Sequence, residues 1–231
     1  MFVSRELDAK SFIKSEGTYL GEFKLVLKLL IYCYHQIIEN EIFGPYKSGY
    51  QLEHRLRNVL KCYLTRNKEK YGVEFLGFEI EPGEINMTYE TIGFLDIKVT
   101  NACSQELRKY DEDIYYAIEC KRLDNSSKKV DAYVKNGILR FIIGKYSKNM
   151  PLACMIGFIE EGNPCIIVNK INDRLEIDKR IITLQKLVNC DIQEKFEQSY
   201  ISKHKRQNNL GIIDLYHLLF DYTGIIQKRI K

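Results

Sequence analysis

Residues 152–159 read Leu-Ala-Cys-Met-Ile-Gly-Phe-Ile, with no polar residue in the run. A strand with one wet face alternates apolar and polar side chains, and this run does not alternate. It therefore suits a strand buried on both faces, in a sheet with helices against it. The chain supplies them. Leu20, Phe23, Leu27, Leu30, Tyr34, Ile37 and Ile38 recur at three- and four-residue steps, which predicts a helix over 18–42, stopped by Gly44-Pro45. Leu52, Leu56, Val59, Leu60, Tyr63 and Leu64 predict a second over 49–66.

Beyond residue 70 the period changes. A strand-like stretch over 73–78 ends at the turn signal Glu81-Pro82-Gly83. Residues 91–99 and 114–121 predict two more strands, and 122–128 a loop. Residues 129–147 return to helical spacing through Val130, Val134, Ile138 and Phe141. After the apolar run, 165–190 reads as mainly helical and 197–203 as a short strand, and 211–222 closes the core. The fold class expected is α/β, a mixed central sheet flanked by helices.

With 231 residues and no linker or repeat, the chain reads as one domain. Within it, a helical N-terminal portion covers about 1–66, a core about 50–160, and a helix-and-strand completion 161–231. Hydrophobic residues at 45 % and charged residues at 29 % exclude a disordered or low-complexity chain. A net charge of +4 is too mild to argue for nucleic acid by itself. The 7 cysteines have no C-x-x-C pair and no zinc-ligand spacing, which predicts reduced thiols and a cytoplasmic protein. No signal peptide is expected from the polar start Met1-Phe2-Val3-Ser4-Arg5-Glu6. No membrane span is expected either, because charged and polar residues interrupt 23–38.

Three residues carry chemistry. In the strand 114–121, Glu119 and Lys121 are two apart and share a face, while Ile118 and Cys120 share the other. In the strand 91–99, Asp96 and Lys98 oppose Leu95, Ile97 and Val99. Neighbouring strands can thus present Asp96, Glu119 and Lys121 together. Two close carboxylates repel unless a cation lies between them, and hard oxygen donors favour magnesium or manganese. Such a cation polarises a phosphoryl oxygen, and a lysine beside it stabilises developing charge. These are the parts needed for metal-assisted phosphodiester hydrolysis.

Gly93-Phe94-Leu95-Asp96-Ile97 followed by Tyr116-Ala117-Ile118-Glu119-Cys120-Lys121-Arg122-Leu123 resembles the PD-(D/E)XK nuclease superfamily, in which a strand aspartate precedes Glu-x-Lys on the next strand. Leu95 stands where the motif's nominal proline would be. The resemblance covers about 50–160. It implies a restriction-endonuclease-like fold and a magnesium- or manganese-dependent nuclease, acting most readily on DNA in a restriction or phage-defence setting. It further implies that Asp96 and Glu119 ligate the metal with help from the Cys120 carbonyl, and that Lys121 is the catalytic lysine. Glu53, on the helix before the sheet, would be a third acid.

Arg140 and Lys145, on a helix with Gly137 and Gly144 seven apart, are candidates for contact with nucleic acid. So are Lys203, His204 and Arg206 in the most basic short run of the chain. Plainer readings stand beside these. Glu53 can pair with Arg57 four residues on. The glycine stripe can serve helix packing, and His35, His54 and His217 can be structural. Cutting both strands of a duplex is easiest for a homodimer, and a partner protein of a defence system could also take part. The alternative to an enzyme is a non-catalytic module that binds nucleic acid or a partner on the same fold. A small-molecule phosphohydrolase finds little support, because no Gly-rich phosphate loop is present.

Overall fold

In the computed structural model, which describes residues 9–44, 49–85, 91–101, 115–148 and 150–227, the chain opens on helix α1, Ala9–Asn40. Phe23, Val26, Leu27, Leu30, Tyr34 and Ile37 are buried along it, and Lys24, Lys28 and His35 lie on the stripe left to water. The chain turns away at Gly44, whose φ of +100° suits only glycine. Helix α2, Gly49–Arg66, follows and buries Leu52, Leu56, Val59, Leu60 and Leu64.

The strands are β1 (Leu76–Ile80), β2 (Gly83–Ile85), β3 (Thr91–Phe94), β4 (Ile97–Asn101) and β5 (Tyr115–Leu123), then β6 (Leu152–Ile159), β7 (Ile182–Asn189), β8 (Ser199–Lys205) and β9 (Ile212–Asp221). Seven of them form one sheet in the order β1-β4-β5-β6-β9-β8-β7. The inner pairs β5–β6 and β6–β9 are parallel, and the outer pairs are antiparallel. β6 is buried at every position, as its unbroken apolar run requires.

Helices cover both faces. On one side α1 and α2 pack over Ile97, Val99, Ile118, Cys120, Ile156, Leu218 and Phe220, with Tyr34 stacked on Phe220 at 4.5 Å between ring centroids. On the other side lies an almost continuous helical stretch: α3 (Ser127–Tyr133), a π-helical turn (Val134–Ile138) and α4 (Leu139–Ile142). With α5 (Pro164–Ile177) it covers Ala117, Ala153, Met155, Ile213, Leu215 and Leu219. α5 starts sharply: Pro164 follows Asn163, whose side-chain oxygen accepts from the Cys165 and Ile166 amides. The result is a mixed α/β architecture.

Two expectations need correction. The stretch 91–99 is two strands, because the backbone bends at Leu95-Asp96; β3 pairs with β2 in a separate hairpin and β4 joins the large sheet. Leu95 and Ile97 accordingly feed opposite cores. The stretch 165–190 is helical only to Ile177, and 182–189 is the edge strand β7. The break is made by Asp178, whose carboxylate takes the Arg180 amide and guanidinium and the guanidinium of Arg174. Arg180 holds that carboxyl well down, at about 2.

Candidate active site

Asp96 lies at the bend between the β2–β3 hairpin and the main sheet, and it is buried. Its environment accounts for that. Arg57 of α2 donates from Nη1 to Asp96 Oδ1 at 2.6 Å, and the Cys120 amide donates to Oδ2 at 2.8 Å. Arg57 Nη2 also pairs with Glu81 at 2.8 Å and meets His54 Nδ1 at 2.8 Å. Burial opposes the Arg57 charge, but Asp96 and Glu81 outweigh it and hold the guanidinium protonated. Glu81 stands in the left-handed region at φ +49°, and its amide donates to the Asp96 carbonyl. Strain of that kind collects beside functional sites.

Glu119 and Lys121 do share a face of β5, and Cys120 points into the α1–α2 core. The Lys121 ammonium donates to Asp96 Oδ2 at 3.3 Å and to the Cys120 carbonyl at 2.8 Å, and it pairs with Glu119 Oε1 at 2.8 Å. Those oxygens are the set that the motif assigns to a metal. Arg140 donates to the same Glu119 oxygen at 2.8 Å and to the Tyr146 hydroxyl at 3.1 Å. Tyr146 in turn donates to the Phe94 carbonyl at 2.7 Å. Glu119 Oε2 is buried and, among the described residues, has no hydrogen-bond partner. Burial pushes the Glu119 carboxyl up to about 7 against the pull of Lys121, with Asp96 adding to the rise. Burial disfavours the Lys121 charge, but Asp96 and Glu119 hold its pKa above the ordinary lysine range.

Gly137, in the π-helical turn, lies over this lysine. A Cβ there would run into the end of Met155 and come within 3.8 Å of the Lys121 stem. The glycine thus serves close packing, the plainer of its two readings, and lets the helix pass over the site. π-Helical turns recur at functional sites. Gly144, at φ +75°, ends the helical stretch.

The remaining candidates divide. Glu53 is half-buried on α2 and its charge is felt by Lys121, but the residue that enters the site is Arg57, one turn on. Among the described residues Arg57 pairs with Asp96 and Glu81 rather than with Glu53. Arg140 joins the acidic cluster, with Lys145 beside it 5.7 Å from the Tyr146 ring centroid. The basic run does not come to the site, because β8 lies three strands from β5, about 14 Å at ordinary strand spacing. His204 and Arg206 need correction as phosphate contacts, since both are buried. Arg206 donates to the Ser147 and Met150 carbonyls. His204 belongs to an internal chain, Tyr133–His217–Ser202–His204–Thr183, with links of 2.8 to 3.3 Å. Lys203 pairs with Asp214 at 3.4 Å.

Arg57 and Tyr146 escaped the reading of the sequence. Arg57 acts on the site from α2 and Tyr146 from the segment after α4, both distant in sequence from the strands that carry it. The one signal for Arg57 was a cation on an otherwise apolar face of α2, and that placement also fits a pair with Glu53.

The donor chemistry suits a hard divalent cation: two carboxylates and a peptide carbonyl converge on the Lys121 ammonium, and among the described residues one buried carboxylate oxygen lacks a partner. Among the described residues no group of three or more His, Cys, Asp or Glu side chains is placed to hold a metal ion. Among the described residues, too, no helix is long and apolar enough to cross a membrane. Comparison of the chain with family models, curated proteins and solved structures gives no match in any of the three.

Proposed function

We propose that this chain is a metal-dependent nuclease of the PD-(D/E)XK type, on a restriction-endonuclease-like fold, hydrolysing phosphodiester bonds in DNA. The observation that carries the reading is the convergence of Asp96 Oδ2, Glu119 Oε1 and the Cys120 carbonyl on the Lys121 ammonium. These three oxygens would hold magnesium or manganese, which supplies the positive charge that polarises a phosphoryl oxygen. Arg57 fixes Asp96, so that one oxygen faces the cation position. Lys121, released from the carboxylates, orients the attacking water and balances charge gathering on the phosphate. Arg140, partly exposed, turns from Glu119 to a non-bridging phosphate oxygen.

The test is cleavage of plasmid, linear duplex, single-stranded DNA and RNA in EDTA, magnesium or manganese, by wild type, Asp96→Ala and Lys121→Ala. Metal-dependent cutting by wild type alone is expected. No cutting of any substrate by wild type overturns a nuclease that acts without a partner. A symmetric dimer is the arrangement suited to cutting both strands, and a solution mass near one chain would refute it. The proposed setting is a cytoplasmic restriction or phage-defence system, with or without a partner protein.

One observation favours a non-catalytic binding module instead: Lys121, Arg140 and Arg57 already balance both carboxylates without a metal. Manganese binding that vanishes in Asp96→Ala separates the two readings, because a binding module gives none in either protein.

A further inference from the structure

Among the residues around the acidic cluster, Phe94 turns the wrong way for a core side chain. It is 61 % exposed, while Leu95 is fully buried and Asp96 is 8 % exposed. It ends β3, and the residue paired with it on β2 is Gly83, which has no side chain to lay over the ring. Its backbone is nonetheless held firmly. The Tyr146 hydroxyl donates to its carbonyl, the Leu95 amide donates to the Pro82 carbonyl, and the Glu81 amide to the Asp96 carbonyl. Through Tyr146 and Arg140 the same residue is tied to Glu119. The chain thus holds the backbone of an exposed aromatic residue two positions from Asp96, within about 7 Å of its backbone.

We propose that Phe94 is a stacking platform for an unpaired base beside the phosphate to be cut, so that the site takes single-stranded or frayed nucleic acid in preference to intact duplex. This rests on the nuclease reading. The reasoning is geometric. A base inside a duplex is stacked on both faces and shows only its edges, so a ring fixed beside the backbone reaches a base face only where pairing is open. Every base has a π-face, so such a platform selects strand state and not sequence.

The experiment is a fluorescence titration of the full chain in EDTA with a single-stranded DNA oligonucleotide carrying 2-aminopurine. The same sequence as intact duplex and as single-stranded RNA forms the other arms. Wild type, Phe94→Ala and Phe94→Tyr are compared after their melting temperatures are shown to agree. Wild type should bind the single strand more tightly than the duplex and quench the probe. Phe94→Ala should lose roughly tenfold or more in affinity, together with the quench, as expected for one lost base stack. Phe94→Tyr should keep both. The RNA arm tells whether the platform also accepts a ribose backbone. Equal binding by Phe94→Ala, a preference of wild type for duplex, or no binding of any single strand overturns the proposal. Because the titration needs no cleavage, the two readings fail separately. Stacking without metal-dependent cutting sinks the nuclease, and cutting with an indifferent Phe94→Ala sinks the platform.

Discussion

At the scale of single residues the site is a balance of buried charges, and its weakest point is the one most worth perturbing. Arg57 is buried and its guanidinium answers Asp96 directly. Removing one partner of such a pair leaves the other buried without compensation. Arg57→Leu should therefore cost about 3–5 kcal/mol in urea unfolding. The loss should shrink in an Asp96→Asn background, where only the half-exposed Glu81 loses its partner; an equal loss in both backgrounds would show that the charge of Asp96 plays no part in it. Glu119 behaves in the opposite sense. Its carboxyl is pushed up to about 7 by burial, so between the ordinary glutamate range and 7 the folded state holds a proton that the unfolded chain has released. Stability therefore falls as pH rises through that window and levels above it. The difference in melting temperature between wild type and Glu119→Gln, followed from pH 4.5 to 8 without metal, should fall as pH rises through that window. Identical profiles would mean that Lys121 and Arg140 fully offset the burial.

At the scale of elements, much was legible because apolar period and burial agree. Helix 49–66 and strand 152–159 were readable, since each has a clean apolar pattern. The hairpin β2–β3 was not, because the alternation of 91–99 continues in sequence through a bend that only the cap on Asp96 and the contacts of Glu81 explain. β7 was missed because apolar spacing at Ile167, Ile171 and Leu175 runs on past Ile177, and nothing but Asp178 with Arg180 breaks it. The chain from Tyr133 through His217, Ser202 and His204 to Thr183 was invisible for the same reason: it is assembled from α3, β9, β8 and β7. Its hydroxyls and rings form one directional series only when both imidazoles are neutral, each giving one proton and taking one. Burial pushes His204 down to about 4 and His217 down as well, with His204 adding to the latter. Both folded values lie below the unfolded one, so the stability they support is present above pH 6.5 and is lost as pH falls toward 4. Ser202→Ala should orphan two buried ring nitrogens and cost about 1–3 kcal/mol at pH 7. A shift inside measurement error would mean that the rings find other partners.

At the scale of the whole molecule the fold explains why the acidic cluster was readable from the sequence while its support was not. Glu119 and Lys121 sit on one strand, and their shared face follows from alternation alone. Arg57, Arg140 and Tyr146 reach the same point from α2, α4 and the segment after it, which meet only because helices cover both faces of the sheet. The cluster is therefore a junction between layers, and a cation bound there would tie them together. Anything that binds the folded chain and not the unfolded one raises its stability by mass action, about 2.7 kcal/mol at a hundred times the dissociation constant. Manganese should accordingly raise the melting temperature of wild type with a saturable dose dependence. The rise should be absent in Asp96→Ala and in Glu119→Gln, and present in Lys121→Ala, where the competing ammonium is gone and both carboxylates remain. Because binding must draw the proton from Glu119, the dose needed should increase as pH falls below about 7. An equal rise in all four proteins would place the metal elsewhere on the surface, and the carboxylates would then be no more than the counterions of Lys121 and Arg140.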